Sequence, residues 1–346
     1  MKQKLLHIIL FVLAALTMAA CGNTDADIAN MSDEEILKVL DIKIHQDPDN
    51  AKLYYNRAKV LMRMSQSEAD SKQSQVRVSR AINDLMKATR LDDDEFDYYI
   101  LLGDAYFANG DIEHSYSTFE KALELDPKST EATLKLGEIA FYGRDYDRAM
   151  DHLSKVTAAD KDNRSALMMK SFIYMETGDT TNATVLLRKV CDLYPDFPQA
   201  FETLGSLYAD KLNPMAVEYL NTAIRLDPQN TNPLYCLAMY YQNKNNADQA
   251  EELYKRILDI NANNQDAWHN RGYIECFYNG NYDLAIEYFT KAIQINNRFL
   301  EAHANRGCAY ELKGDRANAE ICFRTALDID PDFQPAVDGL SRLGKR

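Results

Sequence analysis

Five histidines are the side chains best suited to acid–base or metal chemistry beyond the first twenty residues of this sequence. They are scattered along the chain at His45, His114, His152, His269 and His303. None belongs to a His-Glu-x-x-His pattern, which would place two imidazoles on one helix face to hold zinc. His269 and His303 lie 34 residues apart, a spacing that matches a repeat described below and would bring them close together. We expect polar face residues at these two positions rather than a metal site.

Other catalytic patterns are missing from the sequence. It contains no Gly-x-Ser-x-Gly nucleophile turn and no glycine-rich phosphate loop between a strand and a helix. A nucleophile, a base and an oxyanion donor do not occur in any recognisable arrangement. The sequence therefore predicts a protein that is not an enzyme and that has no metal or cofactor.

Six cysteines are present, and Cys21 stands apart in the N-terminal segment. The other five are Cys191, Cys236, Cys276, Cys308 and Cys322. Because their number is odd, at least one thiol would stay free even in an oxidising compartment, and their spacings match no zinc pattern. Most fall where a small apolar side chain would suit a helix face, so we expect buried, unpaired thiols.

A regularly spaced series of small residues, called the ladder of small residues below, predicts the helices that position these side chains. Its members are Gly103, Gly137, Ser171, Gly205, Ala238, Gly272 and Gly307, spaced 34, 34, 34, 33, 34 and 35 residues apart. A large apolar residue follows each of them, namely Phe119, Leu153, Leu187, Leu220, Tyr254, Phe289 and Phe323. Small residues let two antiparallel helices approach closely, and large residues at helical spacing fill the remaining gap. Each period is thus a helical hairpin, which must stack on its neighbours to bury its apolar face.

This pattern resembles the tetratricopeptide repeat. The resemblance rests on the small residue, on a ring or a small apolar group three positions later and on prolines that close four units, at Pro127, Pro195, Pro228 and Pro331. It implies an all-α fold, a right-handed α-solenoid of about eight helical hairpins with N- and C-terminal capping helices. It also implies that the first helix of each repeat lines a concave groove, the usual peptide-binding face of the family.

The predicted boundaries follow from this register. Residues 32–346 form a single solenoid with a final capping helix over residues 333–343. Ser32 and Glu35 form a capping-box pattern where the first capping helix begins. The repeats are predicted to start near residues 51, 96, 130, 164, 198, 231, 265 and 300.

The first repeat is longer than the others. It holds eleven extra residues, and residues 65–80 are rich in Ser, Gln and charge. These residues either lengthen both helices of the hairpin or form a mobile loop. We favour longer helices, because Glu68, Ala69, Lys72 and Gln73 propagate a helix well.

The seventh repeat departs from the pattern in another way. Glu275 stands where an aromatic residue is expected, and one extra residue precedes Ala285. An insertion within the first helix would be a π-bulge that places Cys276 in the packing position and Gly280 at the turn. The alternative is a turn that is one residue longer.

The first twenty residues have the pattern of a signal peptide. Two lysines precede an apolar stretch over residues 5–16, which rises about 18 Å as a helix and is shorter than the roughly 30 Å core of a bilayer. The small residues before Cys21 resemble the lipobox of bacterial lipoproteins, in which the cysteine is diacylated. The resemblance implies a signal peptide over residues 1–20, lipidation of Cys21 and a lipid-anchored tether over residues 21–31. The alternative is an ordinary secretory leader.

The charge balance narrows the class of partner. The chain carries 39 Lys and Arg against 53 Asp and Glu, a formal net charge of −14. Nucleic acid is disfavoured, because phosphate binding needs a basic stripe. An acidic surface attracts basic partners. We expect a protein or peptide ligand that is basic or apolar, and contact with a membrane through the lipid anchor only.

The groove positions of the family provide candidate partner contacts. Rings on a surface that helix packing does not need are candidate contact residues, although many of them would equally fill the core between repeats. Chaperone-binding members hold a peptide carboxylate with Lys and Asn, whereas this groove carries carboxylates, which disfavours that mode. The predicted groove residues are Phe107, Glu138, Phe141, Tyr142, Met168, Phe172, Met175, Glu176, Tyr235, Met239, Tyr273 and Phe277.

These expectations combine into one functional hypothesis. The protein is a non-enzymatic scaffold or adaptor, anchored by lipid to the outer membrane of a Gram-negative bacterium, that binds partners in its groove. The alternative is a glycan-binding lipoprotein of a surface uptake system, in which exposed rings stack on sugars. Partner identity, the periplasmic or surface side, the pathway and the oligomeric state stay open at this point.

Overall fold

The computed structural model describes residues 31–67 and 70–344, and every regular element in these ranges is an α-helix. In chain order they are α1 (Asp33–Gln46), α2 (Ala51–Ser67), α3 (Ser71–Leu91), α4 (Phe96–Ala108), α5 (Ile112–Leu125), α6 (Thr130–Tyr142), α7 (Tyr146–Ala159), α8 (Arg164–Glu176) and α9 (Thr180–Leu193). They continue with α10 (Pro198–Asp210), α11 (Met215–Leu226), α12 (Asn232–Asn243), α13 (Ala247–Ile260), α14 (Gln265–Phe277), α15 (Tyr282–Ile295), α16 (Leu300–Lys313), α17 (Arg316–Ile329) and α18 (Gln334–Gly344). The all-α prediction is confirmed.

The chain divides into two compact units, unit 1 up to Met169 and unit 2 from Lys170 onward, with the boundary inside α8. In unit 1, each helix from α1 to α6 packs against the next along the chain, and α2 also touches α4. In unit 2, α9 to α18 follow the same order, and α10 with α12, α14 with α16 and α16 with α18 make further contacts. Antiparallel hairpins of neighbouring helices therefore build each unit.

Glycine and a large apolar residue meet inside the hairpins, as the ladder of small residues predicts. A methyl group added at Gly103 would lie 2.6 Å from the Phe119 ring, and one added at Gly205 would lie 2.7 Å from Leu220 Cγ. Phe119 is 1% exposed and Leu220 is fully buried. The absence of a side chain on one helix is therefore what admits the large side chain of the other.

The extra residues of the first repeat lengthen its helices. Helices α2 and α3 span 17 and 21 residues, whereas α4 and α5 span 13 and 14. Arg57 of α2 ties this hairpin to its neighbours, because it donates to Asp84 of α3 at 2.8 and 2.5 Å and to Asp41 of α1 at 2.7 Å. The preference for longer helices is confirmed, although Glu68 and Ala69 lie outside the described residues.

The extra residue of the seventh repeat lies in a turn. Helix α14 is a regular α-helix, and Cys276 is buried at the position that Ala209 and Gln242 occupy in earlier repeats. After the helix, the Asn281 amide donates to the carbonyl of Glu275 at 2.8 Å. This bond spans six residues, whereas the equivalent bond from Asp111 to Tyr106 spans five, so the turn is one residue longer. The π-bulge interpretation is wrong, and the longer turn is confirmed.

The first helix of unit 1 and the last described helix of unit 2 are held in different ways. The α1 helix begins with the predicted capping box, in which Ser32 and Glu35 each bond the other's backbone amide. At the other end, a methyl group added at Gly339 of α18 would lie 2.5 Å from the Phe323 ring. Arg342 of α18 donates to Glu311 of α16 at 2.9 Å. None of the described helices combines the length and the apolar character that a membrane span requires.

Candidate functional site

Three aromatic rings form a cluster at the C-terminal ends of α4 and α6. The Tyr142 ring centroid lies 5.5 Å from that of Phe107 and 5.6 Å from that of Phe141. Tyr142 is 61% exposed, and the other two residues are half-buried. Rings at these separations and tilts stabilise one another beyond their burial. Phe107, Phe141 and Tyr142, called the ring cluster below, therefore form an ordered apolar surface in unit 1.

A lysine that the sequence interpretation missed lies on the same face of α6. Lys135 Nζ lies 2.7 Å from Asp104 and 3.9 Å from Glu138. Burial opposes the charge of this lysine, but the Asp104 hydrogen bond and the nearby carboxylates outweigh it and raise the Lys135 pKa above its ordinary value. The predicted contact Glu138 is therefore partly neutralised. The three-residue spacing between Lys135 and Glu138 was the available signal for this pair.

The aromatic residues of unit 2 are bound into its core by polar groups. Asn270 donates to the Tyr235 hydroxyl at 3.2 Å, and the Tyr235 ring lies 6.1 Å from that of the fully buried Tyr254. The Tyr254 hydroxyl donates to Gln242 at 3.1 Å and lies 3.2 Å from the sulfur of Met239. Burial raises the pKa of both tyrosines. Tyr235 and Met239, which the sequence predicts as groove residues, are thus packed against the core of unit 2.

A second group of rings in unit 2 lies at the end of α14. The Tyr273 ring lies 4.6 Å from Phe277 and 6.3 Å from Tyr278. Phe277 is 43% exposed. Tyr278 donates to the Gln242 carbonyl at 3.1 Å, which holds the end of this helix to α12. Of this group, Phe277 offers the most open apolar surface.

The remaining predicted groove residues lie on α8. Met168 is 6% exposed, so its prediction as an open contact residue is wrong, because a buried side chain is not available to a partner. Phe172 and Met175 are half-buried, and Glu176 is exposed. They belong to unit 2, whereas the ring cluster belongs to unit 1.

The two histidines with equivalent positions have separate partners. His269 Nε2 lies 2.9 Å from the Asn305 side-chain nitrogen, and His303 Nε2 lies 3.0 Å from the Asn297 carbonyl. Burial lowers the pKa of both rings. His303 is 4% exposed, so the expectation of a polar face residue there is wrong. In residues 31–67 and 70–344, no three His, Cys, Asp or Glu side chains are placed to share a metal ion.

The five cysteines of the described residues are unpaired, as expected. Cys191, Cys276 and Cys322 are buried, whereas Cys236 and Cys308 are half-buried. Burial raises the pKa of Cys191 and Cys276 to about 12, so both are protonated thiols with little reactivity. The predicted lipidation site, Cys21, lies outside the described residues.

Comparison with known families identifies the repeat. Models of the tetratricopeptide repeat match residues 96–129, 117–164, 165–196, 213–270, 265–299 and 300–333. These matches cover more than half of the chain, which therefore belongs to the tetratricopeptide repeat family. Proteins of this family bind protein or peptide partners and are generally non-enzymatic.

Individual relatives are distant. The chain is 22% identical to tetratricopeptide repeat protein 37 of Xenopus laevis over 73% of its own length and 20% of that protein. It is 30% identical to the type IV pilus assembly protein PilF of Pseudomonas aeruginosa over 41% of its length and 58% of that protein. The solved C-terminal part of a repeat protein from Cytophaga hutchinsonii superposes with a TM-score of 0.58 at 20% identity, covering 71% of this chain and 99% of that one. This last likeness supports the fold alone.

Proposed function

We propose that this protein is a non-enzymatic adaptor that binds a protein or peptide segment on the first-helix face of its hairpins. The ring cluster is the observation that carries the proposal. Its three rings support one another, and its outermost ring is 61% exposed in water. An ordered, exposed aromatic surface is typical of the anchor points where interfaces concentrate their binding energy.

The charges beside the ring cluster indicate the kind of segment that fits. Asp104 and Glu138 hold the ammonium group of Lys135, so the same carboxylates suit a lysine or arginine from a partner. The rings accept an apolar side chain. We therefore favour a partner segment with an apolar residue near a basic one.

A lipid anchor at Cys21 on an outer membrane completes the proposal. Its support is the apolar stretch over residues 5–16 followed by small residues and Cys21. Mass spectrometry of the mature N-terminus is expected to find an acylated Cys21, and Cys21→Ala is expected to release the protein from the detergent phase. A mature N-terminus elsewhere, without lipid, would contradict the anchor and leave the groove proposal untouched.

Site-specific crosslinking in intact cells tests the groove. A photoreactive amino acid replaces Tyr142 in one variant and Ile321 in a control. Ile321 is 59% exposed but lies on α17, a second helix. We expect an identified protein to be captured at position 142 and not at 321. Capture of the same proteins at both positions would contradict a specific contact at the ring cluster.

Glycan binding is the second candidate function, and an open cleft in unit 2 favours it. The cleft, of about 580 Å³, is lined by Ala262, Asn263, Trp268, Lys291, Gln294 and Ile295. Trp268 donates to the Ala262 carbonyl at 2.9 Å, which fixes the indole as one wall. Sugars pack their C–H face on such a ring, and side-chain amides supply both donors and acceptors for their hydroxyls.

Tryptophan fluorescence tests the glycan candidate directly. Trp268 is the single tryptophan of the chain, so any change in emission reports on this cleft. Saturable changes with an oligosaccharide that persist at high salt would favour sugar stacking, since salt screens charge and not ring contacts. A flat titration with a panel of neutral oligosaccharides would remove this candidate.

A further inference from the structure

The first hairpin is basic, whereas the chain as a whole is acidic. Residues 51–91 hold nine Lys or Arg against three Asp or Glu, whereas the whole chain holds 39 against 53. These residues include α2 and α3, the two longest helices that the structure describes. The hairpin is therefore both longer and more basic than the other repeats.

The exposed face of α3 carries no carboxylate. The single acidic residue of α3 is Asp84, which is 5% exposed and paired with Arg57. Asp70 precedes the helix and caps the Lys72 amide, and an acidic run at residues 92–94 begins beyond its end. Between these two limits, the solvent-facing side of about five helical turns is basic, polar or apolar.

Three cations on this face have no carboxylate partner among the described residues: Lys72, Lys87 and Arg90. By contrast, Arg77 and Arg80 lie 3.6 and 2.8 Å from carboxylates of α1. The three cations fall within one narrow sector of the helix and span about 27 Å along it, at 1.5 Å per residue.

Two exposed apolar side chains lie in the same sector. Val76 is 67% exposed and Met86 is 36% exposed. Cations interspersed with exposed apolar groups on one helix face are typical of helices that lie on an anionic bilayer. Lys72, Val76, Met86, Lys87 and Arg90 are called the basic stripe below.

We propose that the basic stripe docks on the anionic headgroups of a lipid bilayer. The charge and exposure of the stripe carry the proposal, and the choice of a bilayer as its occupant rests on the proposed anchor at Cys21. Nine residues, 22–30, separate that cysteine from the start of the described chain, and they reach at most about 30 Å. An anchored chain therefore keeps this hairpin near the surface, and the membrane contact is not through the lipid alone.

Vesicle binding of the unacylated chain from residue 22, which retains every described helix, tests the stripe without the anchor. Sedimentation is measured with phosphatidylcholine vesicles and with vesicles that also contain phosphatidylglycerol. We expect binding only to the anionic vesicles, with loss at high salt. Replacing Lys72, Lys87 and Arg90 by Glu should weaken this binding at least about a hundredfold, because the variant removes three cations from the surface and adds three anions.

A charge-matched control distinguishes an effect of the basic stripe on vesicle binding from an effect of net charge alone. Lys128, Lys244 and Arg256 are exposed on other hairpins, and their replacement by Glu changes the charge equally. Equal losses in the two triple variants, with helicity and melting unchanged, would overturn the proposal, as would equal binding to neutral vesicles. Soluble polyglutamate that displaces the vesicles by binding the stripe more tightly would assign it to an acidic protein instead. Because the chain carries no lipid and no groove partner, failure here leaves the proposed function standing.

Discussion

The two units present aromatic side chains on their first helices in different ways. In unit 1, the Tyr142 ring is 61% exposed and its hydroxyl has no hydrogen-bond partner among the described residues. In unit 2, Tyr235 accepts a hydrogen bond from Asn270 and lies against Tyr254, whose own hydroxyl is bound by Gln242. A ring at a groove position is therefore not by itself a contact residue. The polar side chain beside it decides whether it belongs to the surface or to the core.

The largest expected effect is on stability in unit 2. Tyr254→Ala removes a fully buried ring and should lower the free energy of unfolding by about 3–5 kcal/mol, as other buried aromatic truncations do. Tyr142→Ala should cost less than about 0.5 kcal/mol, because its ring is mostly exposed. Urea unfolding followed by circular dichroism measures both. A cost at Tyr142 as large as that at Tyr254 would place the ring cluster in the core.

The next effect concerns binding in unit 1. Phe107→Ala combined with Tyr142→Ala should weaken binding of the captured partner by about 2 kcal/mol, roughly thirtyfold in Kd, because both truncations remove anchor rings. Ile321→Ala is the matched control for the loss of an exposed apolar side chain. Titration calorimetry with the identified partner measures the change. An unchanged Kd in a folded double variant would assign the contact to another surface, with Phe277 the next residue to test.

A smaller effect is expected from acid. Burial lowers the pKa of His269 and His303 in unit 2 and of His152 in unit 1. The unfolded chain therefore binds more protons than the folded chain near the ordinary histidine pKa of about 6.5. The free energy of unfolding should thus fall as the pH drops below that value. Unfolding at pH 7.5 and 5.5 measures the slope. The slope should flatten more in His269→Gln with His303→Gln than in His152→Gln, and the reverse order would contradict the assignment.

The smallest expected effect comes from changing the charge beside the ring cluster, and it is measured as the affinity for a basic partner. Lys135→Met frees Asp104 and Glu138 from their internal cation. A basic partner should then bind up to about fivefold more tightly at low salt, in line with the modest strength of exposed ion pairs. The gain should vanish at high salt. Lys128→Met, which removes the same charge at an exposed site in the turn before α6, should show no such gain.

The sequence predicts the helical hairpins well because their defining contacts are short in range. Gly205 meets Leu220 within one repeat, so residue size and spacing suffice to identify the pair. The sequence does not distinguish free rings from core rings, because that depends on contacts between repeats. Asn270 donates to Tyr235 from 35 residues away in the sequence, and no local sequence pattern predicts this hydrogen bond. The burial of Met168 and His303 likewise depends on the folded structure, and the predictions for both residues were wrong.

The packing of helix α18 bears on how a repeat protein of this kind lengthens during evolution. A methyl group added at Gly307 of α16 would lie 2.7 Å from the Phe323 ring, and one added at Gly339 of α18 would lie 2.5 Å from it. The last helix thus occupies the place that the first helix of another hairpin would take. Duplication of one period in the gene, inserted before this helix, would find a matching surface already present. The chain can lengthen during evolution by copying, without the invention of a new interface.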